Sequence, residues 1–155
     1  MAIAVDICND ADFYRLFHII SDSFGEDQQY IDLIFPNHHE HAGRLRGAER
    51  LLQMKRNDPT NRFLKAIDTI TGEVIDQAKW IVFADGKPKE IPLTGDFWET
   101  EDEKERAKFV YAAYLEPRRK AIRAANGSLI PLDILTIDPK HQRPGAGAKL
   151  MEWGV

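Results

Sequence analysis

The stretch Leu132-Asp-Ile-Leu-Thr-Ile-Asp-Pro-Lys-His-Gln-Arg-Pro-Gly-Ala-Gly-Ala-Lys-Leu-Met-Glu-Trp153 decides the fold. Its first six residues alternate with a period of two, with Leu132, Ile134 and Thr136 on one face, and this pattern predicts a strand. The proline that follows has no amide proton and restricts the residue before it, so we expect the strand to end at about Asp138.

Two glycines follow this strand. Gly145 and Gly147 allow backbone conformations and close approaches that a side chain would forbid, so amides from Arg143 to Ala148 can converge on one anion. Apolar residues then predict a helix, whose amino end carries a partial positive charge; they are Ala148, Leu150, Met151 and Trp153. The strand, loop and helix together predict a cradle for a diphosphate.

The spacing around the glycines excludes the two common nucleotide-binding loops. A dinucleotide-binding fold needs a third glycine where this chain has Leu150, and an acidic residue about twenty positions further on. A kinase-type phosphate loop needs Gly-Lys-Ser/Thr, whereas Gly147 is followed by Ala148 and Lys149.

The same stretch resembles motif A of the Gcn5-related N-acetyltransferases (GNAT family). The matching residues are Leu132, Leu135, Ile137, Pro139, Gln142, Gly145 and Gly147. Upstream, the segments Asp10 to Phe24 and Ile34-Phe35-Pro36, and the helix with Arg118-Arg119, look like a fungal-type member. The resemblance covers nearly the whole chain, and motif A is its specific part.

This resemblance implies a GNAT-like α/β (α+β) fold, with a mixed, mainly antiparallel sheet flanked by helices. Residues 1–155 would form a single acetyltransferase domain with a helical insertion at about 85–127. The family's fifth strand and the elements after it would be absent, so we expect a chain truncated after motif A. A fourth strand without its neighbour would expose an apolar edge, for which we expect a homodimer or poor solubility.

For the chemistry, the resemblance implies an acetyl-CoA-dependent N-acetyltransferase. The backbone amide of Leu135 would stabilise the oxyanion, and Asp133 would be the base or would hold a water. A base role requires a raised pKa, and a structural or solvated Asp133 is the alternative. The expected coenzyme contacts are Leu135, Thr136, Ile137, Gln142, Arg143, Pro144, Gly145, Ala146, Gly147 and Ala148.

The acceptor amine would belong to a small molecule or a protein. Phe97, Trp98, Tyr111 and Tyr114 are the predicted substrate contacts, although ordinary packing of an amphipathic helix explains them as well. No metal is expected. Of the histidines between Asn37 and His41, only His38 and His41 would share a helix face, and no second ligand group accompanies them.

Composition agrees with a soluble domain: 155 residues, 43% hydrophobic and 30% charged, can bury a core. We expect a cytoplasmic protein that contacts no membrane, because the sequence shows no leader and no long apolar run. The net charge of −4 argues against nucleic acid as a partner. The single cysteine, Cys8, excludes an intramolecular disulfide and is expected to be a buried thiol.

Periodicity predicts the remaining elements. We expect a strand through Ile3, Val5 and Ile7, then a helix ending at Gly25 with a stripe of Phe13, Leu16, Phe17 and Ile20. A second helix, about Glu40 to Arg56, would turn Leu45, Ala48, Leu51 and Leu52 inward. Strands at about Arg62 to Asp68 and Val74 to Phe83 would form an antiparallel hairpin.

A helix from Glu99 to Arg123 would be interrupted or kinked at Pro117. Its apolar side would carry Phe109, Val110, Tyr111 and Tyr114.

Two functions remain open from the sequence. One is the acetyltransferase. The other is a noncatalytic fragment of the same fold that binds the coenzyme or a partner.

Overall fold

Four antiparallel strands form one sheet in their order along the chain, β1-β2-β3-β4. The computed structural model describes residues 2–26, 28–83, 92–126, 129–142 and 145–155. Within these ranges the strands are β1 Ile3–Ile7, β2 Asn61–Asp68, β3 Val74–Ile81 and β4 Leu132–Ile137. The helices are α1 Phe13–Phe24, α2 Gln29–Ile34, α3 His41–Asn57, α4 Glu101–Ala125 and α5 Ala146–Gly154. The predicted α/β fold with an antiparallel sheet is confirmed.

The two middle strands form the predicted hairpin. Asp68 donates its backbone N–H to the Glu73 carbonyl (2.9 Å), and Gly72 has a φ of +76° in the turn between them. Glycine adopts this left-handed conformation without strain, which explains its place in the turn.

The register between β3 and β4 shifts by one residue at Asp133. Lys79 lies opposite Ile134 and Trp80 opposite Leu132, so Asp133 has no Cα partner on β3. Leu132 therefore packs on one side of the sheet and Ile134 on the other. The predicted alternation, which put both residues on one face, is wrong at this point because the extra residue reverses it.

Each face of the sheet carries its own hydrophobic cluster. On one face α1 and α3 pack over Phe63, and the predicted stripe of α1 is buried throughout. On the other face α5 covers Leu64, Ala78 and Trp80. Adjacent residues of β2 thus serve opposite cores, as the alternation of a strand requires.

Three details of the helices differ from the sequence-based expectations. Gln29–Ile34 is a short helix where a loop was expected, and α4 continues through Pro117 without interruption. Leu45 is 48% exposed, Phe109 75% and Tyr114 59%, so all three were wrongly assigned to apolar faces.

The buried face of α3 explains the error at Leu45. Gly43, Gly47 and Arg50 belong to this face together with Ala48 and Leu51. A face made partly of glycine and arginine is invisible to a hydrophobic pattern.

None of the described helices is both long enough and apolar enough to cross a membrane. Helix α4 lies within the stretch that the resemblance marks as an insertion. Residues 85–91 and 127 of that stretch lie outside the described residues.

We predict that Gly47→Ala destabilises the protein. In an ordinary helix interior this change stabilises by about 0.5–1 kcal/mol. Here a Cβ at Gly47 would lie 2.1 Å from Cζ of the buried Phe17 ring. We therefore expect the free energy of unfolding in urea to fall by about 1–3 kcal/mol, as for an overpacked core.

A Phe17→Leu background provides the control, because it removes the atoms that the new methyl group meets. The penalty of Gly47→Ala should shrink or reverse there. A Gly47→Ala protein more stable than the wild type would contradict the close contact.

Candidate active site

The outer edge of β4 carries free backbone groups. Among the described residues β4 pairs only with β3. The Asp138 amide donates to the Ile75 carbonyl (2.9 Å), so the adjacent pair Asp76–Ile137 is not hydrogen-bonded. Such pairs alternate along an antiparallel ladder, and Leu135 therefore also belongs to one. Its N–H and carbonyl point away from β3, toward the open edge.

The neighbours of Leu135 differ in what they offer at this edge. By the same alternation Ile137 directs its N–H outward, whereas its carbonyl accepts a hydrogen bond from Ser23 Oγ (2.7 Å). Thr136 directs its backbone groups toward β3, and its hydroxyl accepts from Gln77 Nε2 (2.7 Å). Thr136, a predicted coenzyme contact, is thus buried and engaged within the sheet.

Helix α5 begins with free amides next to this edge. Gly145 precedes it with a φ of +87°, and no side chain in the described part of the chain caps the helix. The Lys149 amide donates to the Gly145 carbonyl (3.2 Å) and closes the first turn. The amides of Ala146, Gly147 and Ala148 precede that bond, so they have no acceptor within the helix.

The remaining residues of the predicted loop are only partly described. Gln142 is exposed just before the helix. Arg143 and Pro144, two predicted coenzyme contacts, lie outside the described residues.

Gly147 brings the first turn of α5 against β4. A Cβ built on Gly147 would lie 3.3 Å from Ile137 Cδ1. The first turn of α5, with its free amides, therefore packs against the side chains of Leu135 and Ile137, the residues whose N–H groups point to the open edge.

A buried carboxyl group lies beneath this turn. Asp76 on β3 is fully buried, and its Oδ2 is 3.9 Å from the Cβ position of Gly147. Burial raises the pKa of Asp76 to about 7, and the Asp138 carboxylate adds to the shift, while the Gln77 backbone amide opposes it. Neither carboxyl oxygen has a partner with hydrogen-bond geometry among the described residues.

Sequence reasoning missed Asp76. The one available signal was a carboxylate that the strand alternation places on the same face as Ala78 and Trp80.

On the opposite face of the sheet, a cavity of about 810 Å³ opens between α3, α4, β3 and the segment 92–97. Two predicted substrate contacts, Phe97 and Tyr111, line it. Tyr114 lines a second cavity of about 520 Å³ and stacks on Tyr30 with ring centroids 4.2 Å apart. Trp98 lines neither and donates its indole N–H to the Leu33 carbonyl (2.7 Å).

Asp133 lies where the two cavities meet, since it lines both. Its carboxylate accepts hydrogen bonds from Lys79 Nζ (2.8 Å) and from Arg118. Burial alone would raise the pKa of Asp133, but the two cations together hold it below its ordinary value. The raised pKa that a base role requires is therefore not found.

Two other clusters resemble catalytic or metal sites. His38 is fully buried, with Nδ1 2.8 Å from Ser21 Oγ and Nε2 2.8 Å from an Asp32 oxygen. Both ring nitrogens are therefore engaged. Because Ser21 is also buried and contacts the His38 carbonyl (2.8 Å), this serine, histidine and aspartate brace the segment before α3.

His38 lies in a turn before α3 and not on a helix face with His41, as the spacing suggested. Asp32, His38 and His39 could still approach one ion, as could Glu73, Asp138 and His141. Cys8 is the buried thiol expected from the sequence, and burial raises its pKa to about 12.

No protein-family model and no curated protein matches the chain. Solved structures do match its fold. A mosquito arylalkylamine N-acetyltransferase like 5b aligns with 14% identity and a TM-score of 0.62, over 99% of this chain and 69% of that one. A putative acetyltransferase from Pyrococcus horikoshii aligns with 14% identity and a TM-score of 0.55, over 98% and 72%.

A third match is a histone acetyltransferase HPA2 and related acetyltransferase from Corynebacterium glutamicum, with 14% identity, a TM-score of 0.53 and coverage of 99% and 70%. Identities this low establish the fold alone. The chain has the fold that these acetyltransferases share.

We predict that Asp133→Asn destabilises the protein by about 2–4 kcal/mol, because it leaves the buried Lys79 ammonium without its counter-ion. The pKa of Asp133 is lowered in the folded state, so its contribution is present at neutral pH and lost in acid below about pH 4. Urea unfolding at neutral pH measures the loss.

Asp10→Asn is the matched control. Asp10 also bridges two cations, Lys55 (2.7 Å) and Arg56 (3.0 Å), but it does so at the exposed surface. Equal losses for the two variants would contradict the role of the buried Lys79 in the larger effect.

A third prediction concerns pH. Because the folded pKa of Asp76 lies above the unfolded value, the folded state holds an extra proton, and stability falls as pH rises from about 4 to about 7. Between about pH 5 and about pH 8 the free energy of unfolding should fall by about 2 kcal/mol less in Asp76→Asn than in the wild type. Urea unfolding at both pH values measures it. The exposed Asp6→Asn change on the same sheet should leave the difference as in the wild type.

Proposed function

We propose that this protein transfers the acetyl group of acetyl-CoA to an amine of a small molecule or of a protein. One observation carries the proposal: the free backbone edge of β4 at Leu135 runs directly into the free amides of α5 at Ala146 to Ala148. The same fold occurs in the acetyltransferases to which the structure is similar.

The coenzyme would lie along this surface. Its diphosphate would accept hydrogen bonds from the first-turn amides of α5, where the helix dipole favours negative charge. Gln142 would flank the diphosphate, and Arg143 and Pro144, outside the described residues, stay predicted contacts. The pantetheine arm would pair with the Ile137 amide and the Leu135 carbonyl, which leaves the Leu135 amide for the reacting carbonyl.

The chemistry follows from the position of Leu135. When the amine nitrogen attacks the thioester carbonyl, a C–N bond forms and the carbonyl oxygen becomes an oxyanion, to which a fixed N–H can donate. The C–S bond then breaks and the thiolate leaves. The amine must lose a proton before or during the attack.

We assign Asp133 to holding the amine or a water that carries this proton away. A carboxylate held ionised by Lys79 and Arg118 is a good hydrogen-bond acceptor but a weak base. The sequence suggested that Asp133 is a base or holds a water, and the ion pairs favour the role of holding a water.

The acceptor would enter through the cavity between α3 and α4. Phe97 and Tyr111 line this cavity and would contact the acceptor, as predicted. Tyr114 would contact it through the smaller cavity beside Asp133, and Trp98 would act indirectly through its packing near Phe97, with ring centroids 5.9 Å apart.

Isothermal titration calorimetry with acetyl-CoA, followed by a free-thiol assay with a panel of amines, tests the proposal. Binding and amine-dependent thiol release are the expected results. Binding without turnover would indicate the noncatalytic coenzyme-binding alternative, and absence of binding would overturn both.

We predict that Gly145→Ala weakens acetyl-CoA binding at least about tenfold. Gly145 has a φ of +87°, where a residue with a Cβ is strained by about 1–2 kcal/mol. The strain turns the peptide that starts α5 and disturbs the amides that would meet the diphosphate. The affinity comes from calorimetry.

Gly72→Ala is the control, because Gly72 has a similar φ of +76° and, like Gly145, has no atom within 4 Å of a new Cβ. Both variants should lose similar stability. A similar loss of acetyl-CoA affinity in both would rule out a specific role for the α5 loop.

A further inference from the structure

An unusual cation lies in the large cavity. Arg50 of α3 lines this cavity, although the residue is only 8% exposed. Its guanidinium carbon is 4.6 Å from the centroid of the Phe35 ring, 4.2 Å from that of Phe97 and 5.6 Å from that of Trp98. Burial lowers its pKa to about 10, so the group stays charged at neutral pH.

Arg50 has no acidic partner among the described residues. Nη1 donates to the Ile34 carbonyl, which engages one of five N–H donors. The other buried cation of this cavity, Lys79, is neutralised by Asp133. A buried charge is costly unless a counter-ion compensates it, so the environment of Arg50 favours an anion supplied from outside the chain.

The charge of the whole cavity points the same way. It is lined by six basic side chains against three acidic ones, within a chain whose net charge is −4. The basic ones are Arg46, Arg50, Lys79, Lys108, Arg118 and Arg119. Four of them pair with carboxylates: Lys79 and Arg118 with Asp133, Lys108 with Glu105, and Arg119 with Glu116. The surplus of positive charge favours ligands of the opposite sign in this concave site.

Tyr111 connects Arg50 with the β4 end of the cavity. Burial raises the pKa of Tyr111, the Asp133 carboxylate raises it further, and Arg118, Arg119 and Arg50 oppose the increase. Arg50, Tyr111 and Asp133 all line this one cavity. A ligand whose acidic group meets Arg50 can therefore extend toward Asp133.

We infer that the acceptor carries a carboxylate, which Arg50 binds between the Phe35 and Phe97 rings while the acceptor's amine lies toward Asp133. The guanidinium fork matches a carboxylate with two parallel hydrogen bonds, and the rings fix its plane. Amino acids and other amines with an acidic group are the substrate class. This inference rests on the proposed acetyl transfer and makes it more specific.

The first test needs no coenzyme and no variant. Calorimetry compares product-like pairs that differ only in the carboxylate: N-acetylphenylalanine with N-acetyl-2-phenylethylamine, N-acetylleucine with N-acetylisopentylamine, and N-acetylglycine with N-acetylmethylamine. In at least one pair the carboxylate should bind at least about tenfold more tightly, the difference expected of a charged hydrogen bond. Equal binding within every pair, or no binding of any carboxylate, overturns the inference.

The second test assigns the preference to Arg50. Arg50→Met should abolish it, and Arg50→Lys should reduce it, because lysine keeps the charge and loses the fork. Arg56→Met removes a charge from the same helix outside the cavity and should leave the preference as in the wild type. Equal effects of Arg50→Lys and Arg56→Met would overturn the assignment.

Measuring acetyl-CoA binding by the wild type and by the Arg50 variants shows whether this inference fails alone or together with the proposed function. The proposed coenzyme surface lies on β4 and α5, so the Arg50 variants should bind acetyl-CoA as the wild type does. Circular dichroism shows whether each variant is folded. Acetyl-CoA binding without any carboxylate preference defeats this inference alone, whereas loss of acetyl-CoA binding by the wild type defeats the proposed function.

Discussion

The shift of register between β3 and β4 at Asp133 organises the site. One unpaired residue turns the Asp133 carboxylate to the face where Lys79 can reach it, and Arg118 approaches it from α4. The same carboxylate thus fastens α4 to the sheet and separates two cavities. Beyond the shift the ladder is regular, and this regularity places the Leu135 amide on the open edge. A local irregularity therefore sets the position of both the charged and the backbone part of the site.

A second constraint comes from the packing of α5 on the sheet. Because Gly147 has no side chain, α5 can approach β4 closely, and the free amides of α5 lie near the strand. The approach also encloses Asp76 beneath the same turn. An ionised Asp76 and a bound diphosphate would both draw on the partial positive charge of the helix end. A carboxyl group whose pKa is about 7 lowers this competition, because it is protonated part of the time near neutral pH.

The two faces of the sheet have separate tasks in this arrangement. The face and edge near α5 offer neutral backbone donors, which suit a ligand of fixed chemistry such as a diphosphate. The face toward α3 and α4 offers charged and aromatic side chains around Arg50 and Phe97. Side chains vary more freely than backbone groups between proteins of one fold, so this is the face on which the proposed function would select its acceptor.

Local sequence rules determined much of this protein. The strand before Pro139, the glycine loop, the β2–β3 hairpin and the buried stripe of α1 follow from short-range patterns, because each depends on residues close together in the chain. The GNAT-like fold was accessible through motif A for the same reason.

Only the tertiary structure decided which charged groups of the site are paired and which are buried. Lys79 and Asp133 are 54 residues apart, so no local pattern shows that they pair or that the pair lowers the pKa of Asp133. Arg50 is buried because rings from distant segments enclose it, and Asp76 because α5 covers it. Burial and charge pairing depend on long-range contacts, and a pattern of neighbouring residues does not contain them.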